Sequence, residues 1–206
     1  IGRRSFEWDA LGKLTAVRQD GKPLAAYRYN HRGERVAKTA GAGTRHFLYT
    51  GRKVAAEIDA RGQVTRQYLY LGGKPFAIID HADSVLPDAE ERSATGQAWH
   101  DIGLVFKAWF GNARETLAYL HLNHLGAPEA ATDAQAKPVW LARYSGFGMV
   151  AVSHKGDGFV QPLRLPGQYE DSETGLYYND HRYYDPRAGR YLSPDPLGLQ
   201  ADINSY

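Results

Sequence analysis

The fold is decided by the stretch Tyr27-Arg28-Tyr29-Asn30-His31-Arg32-Gly33-Glu34-Arg35-Val36, which aligns with the earlier stretch Phe6-Glu7-Trp8-Asp9-Ala10-Leu11-Gly12-Lys13-Leu14. Each stretch has two aromatic residues separated by one position, then a polar turn with Asp or Asn and Gly, then a basic and an aliphatic residue. Alternate residues of a strand face the same side of a sheet, so the aromatic side chains share one face. Glycine supplies the positive φ that a tight turn requires. The pattern predicts a β-hairpin.

Further copies of this hairpin unit begin near Phe47, Ile58 and Tyr68. The turn glycines recur about 20 residues apart, at Gly12, Gly33, Gly51 and Gly72. One hairpin buries too little apolar surface to be stable alone, so neighbouring units must pack side by side. Residues 1–80 are therefore predicted to be stacked hairpins, and the fold class of the whole chain is predicted to be all-β.

Composition excludes several other classes of protein. The 206 residues include 43% hydrophobic side chains, 14 Tyr, 7 Phe and 22 Gly, which suits short strands joined by tight turns. Cysteine is absent, so disulfides and thiolate metal sites are excluded. A net charge of +2 gives no electrostatic argument for nucleic acid or an anionic membrane as partner. No apolar run approaches the roughly 18 residues of a transmembrane helix. Because the chain opens at Ile1 and a strand follows at once, we expect a segment of a larger protein.

The alternation stops between residues 81 and 115. A polar run is followed by apolar residues at helical spacing, which predicts a short amphipathic helix: Trp99, Ile102, Val105, Phe106 and Trp109. This helix either lies on the sheet or serves as a plug or partner-binding element, and we assign it no function. Strand signals resume in residues 116–206. His121 and His124 lack further ligands nearby, so we interpret them as structural and predict no metal and no cofactor.

The last part of the chain, Gln168–Leu199, is rich in both aromatic and acidic residues. It contains six tyrosines (Tyr169, Tyr177, Tyr178, Tyr183, Tyr184, Tyr191) and four aspartates (Asp171, Asp180, Asp185, Asp195). Asp185 and Asp195 each precede a proline, and a turn role suits Asp180 and Asp185. The tyrosines are predicted to be mostly core or wall residues, although rows of tyrosine also stack on sugars.

The hairpin units resemble the YD repeats of the bacterial Rhs proteins, with Trp8-Asp9 and Tyr29-Asn30 at the Tyr-Asp positions. The later motifs resemble the Rhs repeat-associated core domain: His121–Gly126, Leu163–Tyr169, Glu173–Asn179, Arg182–Pro186 and Gly189–Leu199. The resemblance implies stacked hairpins forming part of a spiral shell, closed by residues 116–206. It also implies two partners, an upstream shell chain and a C-terminal toxin domain. The protein would be bacterial and cytoplasmic before export as part of a secreted effector.

The resemblance further implies that the chain cuts itself between Leu199 and Gln200, which would free the toxin inside the shell. Asp171 and Asp195 carry over as the catalytic pair, and we expect Glu170, Arg182 and Gly198 to support them. Two close carboxyl groups that share a proton can activate water and protonate the leaving group. The family usually has two glycines soon after the cut, where this chain has Gln200-Ala201-Asp202-Ile203, so we expect slower cleavage.

Other interpretations stay open from the sequence. An Asp-Pro bond broken by its own carboxylate would give a new end at Pro186 or Pro196. A non-catalytic repeat module would serve structure, adhesion or carbohydrate binding. A segment with open sheet edges is also expected to pair with an upstream chain or with itself.

Overall fold

The all-β prediction is confirmed in the computed structural model, which describes residues 2–41, 43–82, 114–156 and 158–195. One antiparallel sheet has twelve strands, and each strand pairs with the next along the chain. Its strands are β1 (Arg4–Trp8), β2 (Leu14–Gln19), β3 (Lys22–Tyr29), β4 (Arg35–Ala40), β5 (Gly43–Thr50), β6 (Lys53–Ile58), β7 (Val64–Leu71), β8 (Lys74–Ala82), β9 (Arg114–Leu122), β10 (Pro128–Thr132), β11 (Pro138–Tyr144) and β12 (Val150–Lys155). A second sheet has four strands, β13 (Gln168–Asp171), β14 (Leu176–Asn179), β15 (Arg182–Asp185) and β16 (Arg190–Tyr191).

The repeat turns form for the reason that the sequence suggests. Asp9 accepts hydrogen bonds through Oδ1 from the amides of Leu11 and Lys13, at 2.9 and 2.8 Å, and Gly12 has a φ of 71°. Asn30 and Gly33 repeat this geometry one hairpin later, with a φ of 76° at the glycine. The short side chain of Asp or Asn thus replaces a backbone acceptor, and glycine takes the left-handed position.

The two sheets pack face to face and share two apolar clusters. The first joins strands β5 to β11 with Tyr169 of β13 and the preceding loop residue Leu163. The second joins β2 and β3 with Leu176, Tyr178 and Tyr183 of the small sheet. The small sheet thus shares its apolar core with strands of the large sheet from β2 to β11.

The large sheet must curl around the small one. Laid flat, twelve strands would span about 50 Å, whereas four strands span about 14 Å. Yet both edge strands of the large sheet reach the turn between β13 and β14: Arg4 of β1 donates to the Thr174 carbonyl at 2.6 Å, and Arg4, Val150 and Thr174 line one cavity of about 240 Å³. Cumulative strand twist allows this curvature.

The predicted interruption leaves the large sheet continuous. Strands β8 and β9 pair directly, from Ala77↔Tyr119 to Ala82↔Arg114. The predicted helix over Trp99–Trp109 lies outside the residues that the structure describes. Just beyond, His121 lies with its Nε2 3.0 Å from the Thr132 hydroxyl of the neighbouring strand.

Candidate functional site

Asp171 ends strand β13 and lies between the two sheets. Its side chain is fully buried, and each carboxylate oxygen faces a cation of strand β4. Arg35 Nη1 donates to Oδ2 at 2.5 Å, and Lys38 Nζ donates to Oδ1 at 3.0 Å. Lys38 also lies 3.0 Å from a carboxylate oxygen of Glu173. This group of Asp171, Arg35, Lys38 and Glu173, called the ion cluster below, ties the small sheet to the large one.

Arg35 is enclosed by aromatic rings. Its guanidinium carbon lies 4.4 to 5.8 Å from the ring centroids of Tyr178, Phe47, Tyr169, Tyr27 and Tyr183. Nη1 also donates to the Tyr183 hydroxyl at 2.9 Å. Burial is the largest single effect and lowers the pKa of Arg35, but the Asp171 carboxylate and the nearby tyrosine hydroxyl groups together outweigh it, so the pKa is raised. A charge buried so completely is tolerable because it is paired and sits against ring faces.

Asp195 follows strand β16 and pairs with a different cation. Its Oδ2 lies 2.9 Å from Arg182 Nη2, and both side chains are partly exposed. The Arg182 guanidinium in turn lies 3.8 Å from the ring centroid of Tyr191. This pairing places Asp195 at the start of strand β15, next to the turn that joins β14 and β15.

The register of the small sheet separates Asp171 from Arg182. Asp171 and Tyr169 lie on the same face of the small sheet. Tyr169 pairs across the strands with Tyr178, and Tyr178 pairs with Tyr183, so all four side chains share that face. Arg182 precedes Tyr183, so its side chain points to the other face. In this structure the two predicted catalytic aspartates are thus bound by different cations, and Asp195 is held by a residue of the opposite face. Their meeting as a catalytic pair stays a prediction.

The other predicted residues have separate roles in the structure. Glu170 pairs with the buried Arg164, next to the ring of Tyr177. Asp185 accepts from the Arg187 amide at 2.9 Å, and Asp180 pairs with Arg52, as the turn interpretation suggests. Gly198, Leu199 and Gln200 lie outside the described residues.

Sequence reasoning missed Arg35 and Lys38. A signal existed, because the turns at Asn30 and Asp9 have the same hydrogen bonds, which makes Arg35 the counterpart of Leu14. Both are buried, with 0% and 1% exposure. An arginine at the inward position of a repeat requires a buried anion elsewhere in the chain. Only the fold shows that this anion is Asp171.

Raising the pH is expected to destabilise the fold through its buried tyrosines. Burial raises the pKa of Tyr49, Tyr70 and Tyr144 from the usual 10.0 to about 12. The folded state therefore holds these protons more tightly than the unfolded chain. Their stabilising contribution is complete below pH 10 and is lost as the pH rises through about 12. Urea unfolding at about pH 8 and about pH 11 should give a lower free energy of unfolding at the higher pH. Complete phenolate absorbance near pH 10 in folded protein would contradict this.

Comparison with known proteins finds similar stretches within much longer toxin proteins. No protein-family profile matches the chain. It is 36% identical over 205 residues to the toxin protein Tse5 of Pseudomonas aeruginosa, covering 95% of this chain and 15% of that protein. It is 29% identical over 217 residues to the double-stranded DNA deaminase toxin A of Burkholderia cenocepacia, covering 98% of this chain and 14% of that protein. These matches support the assignment of the chain to the Rhs/YD-repeat family. The Rhs-like chain thus spans about one seventh of each of these two relatives.

A solved structure shows the same fold. The TcdB2-TccC3 complex without its hypervariable C-terminal region matches the Rhs-like chain with a TM-score of 0.66 at 23% identity, over 98% of this chain and 9% of that one. The match confirms the all-β antiparallel fold as a known arrangement. None of the described segments contains a helix able to span a membrane.

Proposed function

We propose that this chain is the C-terminal end of an Rhs shell that encloses a toxin domain and cuts its own chain after Leu199. The ion cluster is the observation that supports the shell role. It binds the small sheet to the large sheet, and the two edges of the large sheet curl towards the small one. In this proposal the packed wall is one end of a larger shell around the toxin and delivers the chain end at a fixed place. The comparison supports a toxin domain that is separate from the residues of this chain. The TcdB2-TccC3 structure lacks its hypervariable C-terminal region and still matches 98% of this chain.

The proposed cleavage is a hydrolysis by two carboxyl groups. The ionised carboxylate takes a proton from water, and the resulting hydroxide attacks the carbonyl carbon of Leu199. The protonated carboxyl group donates to the carbonyl oxygen, and collapse of the tetrahedral intermediate breaks the C–N bond. The amine of Gln200 leaves with a proton, and Leu199 gains a carboxylate. Asp171 and Asp195 are the proposed pair, which requires Asp195 to leave Arg182 and reach the face of Asp171.

One observation favours a second candidate, a shell wall without catalysis. Both oxygens of Asp171 already accept from cations, and a buried ion pair of this kind is sufficient reason for an aspartate at that position. The structure favours this candidate over a carbohydrate-binding module, because the six tyrosines most central to the sheets are buried: Tyr27, Tyr68, Tyr169, Tyr177, Tyr178 and Tyr183. Buried rings cannot stack on a sugar.

The partners follow from the edges of the large sheet. Strand β1 pairs on one side with β2, so its other edge is available to a preceding strand of the same shell. We propose that an upstream Rhs chain continues the sheet there, with self-association as the alternative use of that edge. In this proposal the protein is made in the bacterial cytoplasm and exported as part of an effector.

Intact mass spectrometry of the freshly folded chain tests the proposal. The expected result is a main species that ends at Leu199 and a released peptide of residues 200–206. A chain that stays at full length over days would contradict self-cleavage and favour the second candidate, a shell wall without catalysis. A new end at Pro186 or Pro196 would instead identify cleavage at an Asp-Pro bond.

A further inference from the structure

A cavity of about 310 Å³ lies between the small sheet and three turns of the large sheet. The turns are those after β5, β7 and β9, and the loop of residues 163–168 with Tyr169 and Tyr178 of the small sheet completes the lining. This volume is at the lower end of the range of small-molecule sites, about 300–1,000 Å³. Neither the ion cluster nor the proposed cleavage uses this cavity.

The walls of the cavity are largely apolar because its tyrosines use their hydroxyl groups elsewhere. Tyr49 donates to the Arg35 carbonyl at 2.8 Å, and Tyr70 donates to the Val54 carbonyl at 2.9 Å. The part of each tyrosine that is left for a ligand is its ring. Rings of this kind favour a flat aromatic group, since two aromatic rings attract each other at their faces and edges.

Two lysines at equivalent positions of successive hairpins stand at the rim of the cavity. Lys53 follows the turn Gly51-Arg52, and Lys74 follows the turn Gly72-Gly73. Lys53 Nζ reaches across to the second turn, where a side-chain carbon on Gly73 would lie 3.1 Å from it. Among the described residues neither ammonium group pairs with a carboxylate. Two cations at one rim without an anion of their own favour the binding of an anion from solution.

The arginines of the lining leave this preference to the lysines. Arg52 pairs with Asp180, and Arg164 pairs with Glu170, so both guanidinium groups already have an anion.

Gln168 adds a hydrogen-bond acceptor that the protein does not use. This lining residue is only 6% exposed, and its Oε1 has no donor among the described residues. Buried amide oxygens in folded proteins almost always have a donor. A ligand N–H or O–H group at this place would supply the missing one.

We propose that this cavity binds a small aromatic carboxylate that also has an N–H or O–H donor. The carboxylate pairs with Lys53 and Lys74, the aromatic ring packs against Tyr49 and Tyr70, and the donor bonds to Gln168 Oε1. This binding is independent of the proposed function, because it requires neither a shell nor a cut.

Isothermal titration calorimetry of the 206-residue chain with indole-3-acetate tests the role of charge. The expected result is one saturable site with a dissociation constant of roughly 10 μM to 1 mM. The variant Lys53→Gln with Lys74→Gln should weaken binding at least about tenfold. The matched control is Lys22→Gln with Lys137→Gln, two exposed lysines away from the cavity, of which Lys22 follows the two-residue turn Asp20-Gly21 in the same register. This control should bind as the unmodified chain does.

A second ligand tests the role of Gln168. Naphthalene-1-acetate has the same charge and a similar ring system but no N–H group. The unmodified chain should bind indole-3-acetate roughly fivefold more tightly than naphthalene-1-acetate, and Gln168→Met should lose this preference. Loss of the preference alone cannot come from a general loosening of the fold, because both ligands would then bind more weakly.

Three outcomes would overturn the proposal. The first is the absence of saturable binding up to about 10 mM indole-3-acetate. The second is equal affinity in the two double lysine variants, which would mean that the rim does not recognise the carboxylate. The third is equal affinity of the unmodified chain for both ligands, which would mean that Gln168 does not accept a hydrogen bond from the ligand.

Discussion

Replacing Asp195 with asparagine should leave the chain at its full 206 residues, as seen by intact mass. Asparagine keeps the size of the side chain and can still contact Arg182, but it cannot take a proton from water or share one with Asp171. Loss of general acid–base catalysis typically costs a factor of about 100 to 10,000 in rate. The released peptide of residues 200–206 should therefore be absent over times in which the unmodified chain is fully cut.

Asp185→Asn is the matched control for Asp195→Asn. Asp185 also precedes a proline in the small sheet, but among the described contacts its carboxylate accepts hydrogen bonds from Arg187 of its own turn alone. This variant should be cut at the normal rate. Cleavage of Asp195→Asn at the rate of the unmodified chain would remove Asp195 from the mechanism.

Replacing Arg35 with methionine should lower the free energy of unfolding by about 3–5 kcal/mol. Methionine fills most of the space, but Asp171 is then left fully buried with Lys38 as its remaining cationic partner. The exposed ion pair of Arg52 with Asp180 provides the control, because Arg52 is 81% exposed. Arg52→Met should change the free energy of unfolding by less than about 1 kcal/mol. Urea unfolding of the three proteins measures both differences, and equal effects of the two substitutions would contradict a structural role for the ion cluster.

The double variant Arg35→Met with Asp171→Leu separates structure from catalysis. Removing both charges should restore much of the lost stability, because a buried ion pair can often be replaced by apolar groups at little cost. Lys38 keeps Glu173 as its partner. If this folded double variant stays uncut, Asp171 acts in the cleavage. If it is cut normally, Asp171 is a structural residue and the catalytic pair is wrong.

Much of the wall could be predicted from local sequence. The turns at Asp9 and Asn30 depend on one short polar side chain and one glycine, and both are visible in the sequence. The alternation of inward and outward side chains along a strand is equally local. Tight turns then pair each strand with the next one in sequence. The pairing of β8 with β9 continues the same order, although these two strands are separated by the longest connection.

The placement of charge could not be predicted in the same way. Asp171 and Arg35 are 136 residues apart, and no periodic signal links a carboxylate in one sheet to a guanidinium in another. Asp171 and Asp195 are much closer in sequence and share the same acidic, aromatic context. The sequence suggests that the two aspartates form a catalytic pair. In the structure Asp195 is bound by Arg182, which the strand register places on the other face of the small sheet from Asp171.

The sequence by itself determined the all-β class, the hairpin repeat and the positions of its turns, because these depend on contacts within about a dozen residues. Only the tertiary structure decided that the large sheet curls, that Asp171 lies between Arg35 and Lys38, and that Asp195 pairs with Arg182. Those features arise from packing one sheet on another, where curvature and burial bring together residues that no local pattern connects.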